Sequence, residues 1–164
     1  MFGFKKKKME SPSIEISSPL SGQFLALDEV QDEAFSSKAM GEGFAILPDS
    51  GKVIAPFDGI IAHIMEKSKH AILIEHNSGV QLLIHVGMDT VSLKGKGFTA
   101  HVSNGDRVKK GQLLLEFDME TLRENGCSTV TPIVVPGGQD TISRVEVVSE
   151  SKQPANETVL RIFC

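Results

Sequence analysis

Apolar residues along the chain fall into short runs, many alternating with polar positions and each closed by turn-forming residues. That pattern is the one expected of an antiparallel all-β sandwich or barrel rather than of helices. It predicts strands over 14–16, 22–26, 44–48, 52–55, 59–65, 71–76, 81–86, 97–101, 107–108, 113–117, 131–135, 145–148 and 159–163. Between them sit turn signals: Pro48-Asp49-Ser50-Gly51, Asn77-Ser78-Gly79, Ser103-Asn104-Gly105-Asp106 and Pro136-Gly137-Gly138. Helix is expected only in short pieces. The best is 118–126, with Asp118 as N-cap, acidic residues in the first turn and Gly126 as the stop. A second helical turn is allowed over 32–38.

Two pairs of segments echo each other. Ser18-Pro19-Leu20-Ser21-Gly22-Gln23-Phe24 resembles Ala55-Pro56-Phe57-Asp58-Gly59-Ile60-Ile61, and Gly41-Glu42-Gly43-Phe44 resembles Gly95-Lys96-Gly97-Phe98. Their irregular spacing argues against a solenoid and for internally repeated turn-strand units, a duplicated motif around a two-layer core.

The segment 68–90 draws attention because a strand, an Asn-Ser-Gly turn and a second strand carry a histidine at each outer end, His70 and His85. A two-residue Asn77-Ser78 loop pairs residues whose numbers total 155, as 70 and 85 do, and puts the two rings opposite each other, Cβ atoms about 4.5–5.5 Å apart. A three-residue Asn77-Ser78-Gly79 loop with a glycine bulge is equally natural for these residues. It shifts the total to 156 and sends the histidines to opposite faces unless a second bulge restores the phase. Residue type alone leaves both registers open. Ser68 lies two positions before His70, and Gly87, Asp89 and Thr90 follow His85, so both rings have small or hydroxyl neighbours suited to an anion. Nothing lifts His63, His76 and His101 above ordinary strand or surface histidines.

Composition narrows the field. With 164 residues the chain suits one domain. Its formal charge of −4 gives no general reason to bind nucleic acid. Two cysteines, Cys127 and Cys164, are too few for a disulfide framework and fit a reducing, cytoplasmic setting. The start, Met1-Phe2-Gly3-Phe4 and then Lys5 to Lys8, has no apolar stretch behind it and does not read as a signal peptide. It is expected to be a flexible basic segment over 1–13, with weak membrane-surface contact open to it, ahead of a single domain over 14–164. The span from Met1 to Cys164 suggests a free-standing protein.

Gly79-Val80-Gln81-Leu82-Leu83-Ile84-His85-Val86-Gly87-Met88-Asp89-Thr90-Val91 resembles the phosphorylation-site signature of glucose-type enzyme IIA domains of the bacterial sugar phosphotransferase system. Lys69-His70-Ala71 matches that family's second histidine. Ordered matches run from about Ile14 to Ile162 and include Ser18-Pro19-Leu20, Ala55-Pro56-Phe57-Asp58-Gly59, Leu93-Lys94-Gly95-Lys96-Gly97-Phe98 and Ser128-Thr129-Val130-Thr131-Pro132. The resemblance implies a phosphotransferase component with a phosphohistidine intermediate. His85 would take phosphate from the carrier protein HPr and pass it to a cysteine of a IIB domain of a sugar permease. His70 would stabilise the phosphoryl group and Ser68 would orient His70. Asp32 and Asp89 would face cationic partner residues, with Leu83, Val86 and Met88 as an apolar docking surround. It implies an antiparallel β-sandwich with both histidines in a shallow apolar depression, which favours the same-face register. No cofactor and no resident metal are expected. Two positions depart from the branch of the family with Phe in its docking collar: Glu66 and Leu83 stand there instead, so partner preference, including any regulatory partners, is expected to differ.

The chemistry is consistent with that reading. A neutral imidazole is the nucleophile in phosphohistidine transfer, and free histidine is mostly neutral at cytosolic pH. The protein's part is positioning, charge stabilisation and exclusion of water. No nucleotide-binding Gly-rich loop is present. Two other readings compete. Residues 104–116, Asn104-Gly105-Asp106-Arg107-Val108 onward, look like part of a biotinyl or lipoyl carrier domain, with Lys67 or Lys69 as the modified lysine, but the tight lysine hairpin is missing. His85 and Asp89 have the H-x-x-x-D spacing of a lysostaphin-like zinc hydrolase, but the later His-x-His pair is absent.

Overall fold

The structure, a computed structural model, describes residues 13–148, 150 and 155–164. All but the last residue of the basic segment expected over 1–13 lies outside the described residues, and Ser13 already belongs to the first strand. Thirteen strands follow: β1 Ser13–Ser17, β2 Gly22–Ala26, β3 Gly41–Pro48, β4 Lys52–Ile54, β5 Gly59–Ile64, β6 Ala71–His76, β7 Gln81–His85, β8 Phe98–Ala100, β9 Arg107–Val108, β10 Leu113–Phe117, β11 Thr131–Pro136, β12 Arg144–Val147 and β13 Thr158–Phe163. Each coincides with a segment predicted from the apolar pattern. The main shift is in β3, which begins at Gly41 instead of Phe44. Two 3₁₀ turns, Leu27–Glu29 and Thr90–Leu93, were not anticipated.

The pairings are antiparallel throughout. A seven-stranded sheet runs in the order β2-β3-β11-β7-β6-β5-β9, and two three-stranded sheets run β1-β13-β12 and β4-β10-β8. One apolar core gathers side chains from all three, among them Ile16, Phe44, Ile61, Ile74, Leu82, Leu114 and Leu160. Each such fully buried aliphatic or aromatic side chain contributes about 1.5–3 kcal/mol.

The first sequence echo is a true duplication. Ser17 N–H donates to the Pro56 carbonyl and, at the equivalent position, Ile54 N–H donates to the Pro19 carbonyl, so the two copies bind each other reciprocally. Ser18 exchanges bonds with Glu157 and Asn156 just as Ala55 does with Gln112 and Gly111. Gly22 and Gly59 serve one purpose in the two copies: a Cβ at either would lie 2.1 Å from a neighbouring strand's carbonyl oxygen, of Leu47 and Glu75 respectively. The second echo is not structural. Gly41–Phe44 lies on β3 of the large sheet, whereas Gly95–Phe98 leads into β8 of a small one.

Helix is limited to two pieces among the described residues, α1 Glu33–Ser36 and α2 Met119–Glu124. Each is started by a capping aspartate. The Asp32 carboxylate accepts from Ala34 N–H at 3.0 Å, and the Asp118 carboxylate accepts from Glu120 N–H at 3.0 Å. α1 and the first 3₁₀ turn seal the outer face of the large sheet through a second apolar cluster of Leu27, Val30, Phe35, Ala45, Met88 and Val134.

Candidate functional site

The β6–β7 hairpin sets the site. Its ladder pairs Ala71 with His85, Ile72 with Ile84 and Leu73 with Leu83, so paired numbers total 156. The turn is the three-residue one: His76 N–H donates to Val80 O at 2.8 Å, and Gly79, at φ +96°, closes it by donating to His76 O. The same-face register favoured by the resemblance is therefore incorrect, because the glycine bulge adds one residue to the loop. The histidines meet all the same. The last full ladder pair is Ala71 with His85; His70 follows at its end, after Lys69 at φ +54°, with its carbonyl accepting from Val86 N–H at 2.7 Å. The two ring centroids are 4.8 Å apart, nearly perpendicular.

The register decides which neighbours share the site. Ile84, Leu82 and Val86 point into the core, while Leu83 and His85 point to the outer face, where α1 lies. Val86 is wholly buried and Met88 nearly so, and neither offers the docking surface expected of it; Val86 follows the core-facing alternation of β7, and Met88 is absorbed by the cluster under α1. Leu83 keeps partial exposure. The exposed apolar side chains beside the site are ones the apolar pattern did not single out, Met65 at 43% and Val91 at 53% exposure. With Ser68, they line a shallow depression of about 970 Å³.

His85 is held on two sides. The Phe35 ring, carried by α1, lies 5.2 Å from it and His70 lies on another side. Phe35 was missed in the sequence, where it reads as one more apolar residue of a helical turn. Nδ1 of His85 is 2.9 Å from the Gly87 carbonyl. A carbonyl can only accept, so Nδ1 carries the proton and the lone pair sits on Nε2. Burial pushes the His85 pKa below 6.5, against the Gly87 hydrogen bond and the nearby charges of Asp32 and Asp89, which pull it up. Asp32 caps α1 and Asp89 lies in a left-handed turn at φ +60°.

His70 is 5% exposed, and burial, with His85 beside it, pushes its pKa down to about 4. Its Nδ1 is the one buried side-chain nitrogen or oxygen among the described residues without a hydrogen-bond partner. Ser68, expected to orient His70, is buried beside it, but its hydroxyl donates to Met65 Sδ at 3.4 Å instead. Two neutral imidazoles thus face each other, one offering a free Nε2, with a flank of negative charge.

Among the described residues no helix is long and apolar enough to cross a membrane. A family model for the phosphoenolpyruvate-dependent sugar phosphotransferase system, EIIA 1, matches residues 14–141. The chain is 41% identical over 154 residues to the PTS system glucose-specific EIIA component of Oceanobacillus iheyensis, covering 94% of this chain and 92% of that one. It is 43% identical over 164 residues to the component of the same name from Halalkalibacterium halodurans, covering 98% and 94%. It is also 49% identical over 116 residues to the PTS system glucosamine-specific EIICBA component of Bacillus subtilis, spanning 71% of this chain and 18% of that longer protein. Among solved structures, glucose permease IIA from Mycoplasma capricolum superposes with a TM-score of 0.84 at 32% identity, covering 92% of this chain and 96% of that one. These relatives lend no support to a carrier lysine or a zinc hydrolase. The chain belongs to the EIIA 1 family of the phosphoenolpyruvate-dependent sugar phosphotransferase system and is a phosphocarrier in sugar uptake.

Proposed function

We propose that His85 Nε2 receives a phosphoryl group from phosphorylated HPr and hands it to a cysteine thiolate of a IIB domain, serving a permease of the glucose class. The observation that carries this is the Nδ1 contact to Gly87, which reserves Nε2 for attack while His70 stands against the same ring. In the step itself, the Nε2–P bond forms as the donor's N–P bond breaks. The group passes between two neutral imidazoles, and the Nδ1 proton stays on His85. In the second transfer the IIB thiolate forms an S–P bond as the Nε2–P bond breaks, which returns His85 to its neutral state.

His70 stabilises the anionic group in flight by donating from its own Nε2–H. That tautomer needs an acceptor lone pair at Nδ1, and the orphaned Nδ1 is where Ser68 would serve. Thioether sulfur is a weak acceptor, so the Ser68 hydroxyl exchanges Met65 for His70 at small cost. Asp32 and Asp89 supply a negative rim that draws in a cationic partner face, with Leu83, Met65 and Val91 as the exposed apolar contacts. The names of its relatives support a glucose-class permease.

The test is incubation with phosphoenolpyruvate, enzyme I and HPr, followed by intact mass and acid lability. Wild type should gain one acid-labile phosphoryl group, His85→Ala none, and His70→Ala should accept the group but fail to pass it on. Uptake of phosphate by His85→Ala, or none by wild type, would overturn the assignment.

A further inference from the structure

What aims the Gly87 carbonyl at His85 lies a layer deeper. Gly87 sits at φ +73°, and a Cβ there would lie 2.7 Å from Thr90 Cγ2 and 2.8 Å from the Ser128 carbonyl oxygen. Its peptide is therefore clamped against the segment leading into β11. Two bonds hold it. Met88 N–H donates to Ser128 O at 3.0 Å, and Gly87 N–H donates to the Thr131 hydroxyl at 3.3 Å. Thr131 is wholly buried at the start of β11. Its single hydroxyl proton goes to the Thr129 carbonyl at 3.0 Å, which leaves an oxygen lone pair turned to Gly87. Thr90, also wholly buried, ties the other end of the Val86–Gly87 peptide, whose N–H Thr131 accepts, by donating from Oγ1 to Val86 O at 2.6 Å. His85 is thus followed by a backbone segment pinned at successive peptides.

We infer that Thr131 is a positioning residue for phosphoryl transfer: its hydroxyl anchors the peptide entering Gly87 and so fixes the Gly87 torsions at which the Gly87 carbonyl keeps the Nδ1 proton of His85 and leaves Nε2 as the nucleophile. This rests on the reading of His85 as phosphoryl acceptor. A valine at 131 fills the same volume but leaves Gly87 N–H buried with no acceptor. The Val86–Gly87 peptide then keeps only its Thr90 anchor, the torsions at Gly87 relax, the Gly87 carbonyl shifts off Nδ1, and the ring populates the tautomer in which Nε2 carries the proton. Only the fraction with a lone pair on Nε2 can attack.

The experiment uses the full chain, labelled with ¹⁵N at histidine, as wild type, Thr131→Val and Thr131→Ser. Long-range ¹H–¹⁵N spectra at pH 7.5 report which ring nitrogen of His85 is protonated, with no phosphoryl donor present. The rate of phosphorylation by phosphorylated HPr is measured beside it, with thermal unfolding as the control for folding. Wild type and Thr131→Ser should show Nδ1–H, whereas Thr131→Val should show mixed tautomers and phosphorylation about tenfold slower, the rate equivalent of one lost hydrogen bond. Thr131→Cys, which keeps the volume and offers only a weak sulfur acceptor, gives the same comparison if the valine variant does not fold. A folded valine or cysteine variant with the wild-type tautomer and rate would overturn the inference, as would a serine variant as impaired as valine. Absence of phosphate on wild-type His85 would instead sink the site assignment, and the ring spectra would still report on Thr131.

Discussion

At the scale of single residues, the two histidines are kept neutral by unequal means. His85 loses water by burial but gains the Gly87 carbonyl and the field of Asp32 and Asp89, while His70 loses water, gains no bond at Nδ1 and faces another imidazole. Both rings are thereby held neutral near pH 7, the form that the proposed role of His85 as phosphoryl acceptor requires. Titration followed by histidine ring spectra should place the His85 midpoint below 6.5 and that of His70 at about 4. A midpoint at or above 6.5 for either ring would contradict this account of their surroundings.

At the scale of elements, the site depends on a helix too short to persist alone. The four residues of α1 are held by the Asp32 cap and by Phe35, which is buried in the outer cluster and packs on His85. Phe35→Ala should cost about 3 kcal/mol of unfolding free energy and slow phosphorylation of His85. Phe35→Leu should recover most of the stability but not the ring contact. Urea unfolding and the transfer assay on both variants check this; an alanine variant unchanged in both would show that α1 neither steadies the sheet nor braces His85.

At the scale of the whole molecule, burying histidines makes stability depend on acid. His70, His76 and His85 all have pKa values lowered on folding, chiefly by burial. Between the unfolded value near 6.5 and the folded value of about 4 for His70, the unfolded chain binds more protons than the folded one. Their contribution to stability is therefore full above about pH 6.5 and is lost as pH falls toward 4. Urea midpoints should drop from pH 7.5 to pH 5, and less steeply for His70→Gln. A midpoint that stays level across that range in wild type would show that the imidazoles are not sequestered as described.

The alternation of apolar and polar residues by itself determined the strands, because a strand buried on one face must repeat every second residue. The capping aspartate Asp118 likewise announced α2, since the bond it makes is local; the equivalent cap by Asp32 at α1 emerged only with the structure. The duplicated Pro-x-x-Gly segments and the His70–His85 pair were also legible, the first as a repeat and the second through the family signature. What only the tertiary structure decided depends on contacts between residues distant along the chain. The pattern could not choose between a two- and a three-residue turn, and that one residue sent Val86 to the core. Nor could it show that His70, at the end of the ladder, meets His85 in this register, that Phe35 folds back over the ring, or that Thr131 reaches across 44 positions to hold Gly87. Periodicity reports which face of a strand is buried; which residues meet on that face is settled only when the sheets assemble.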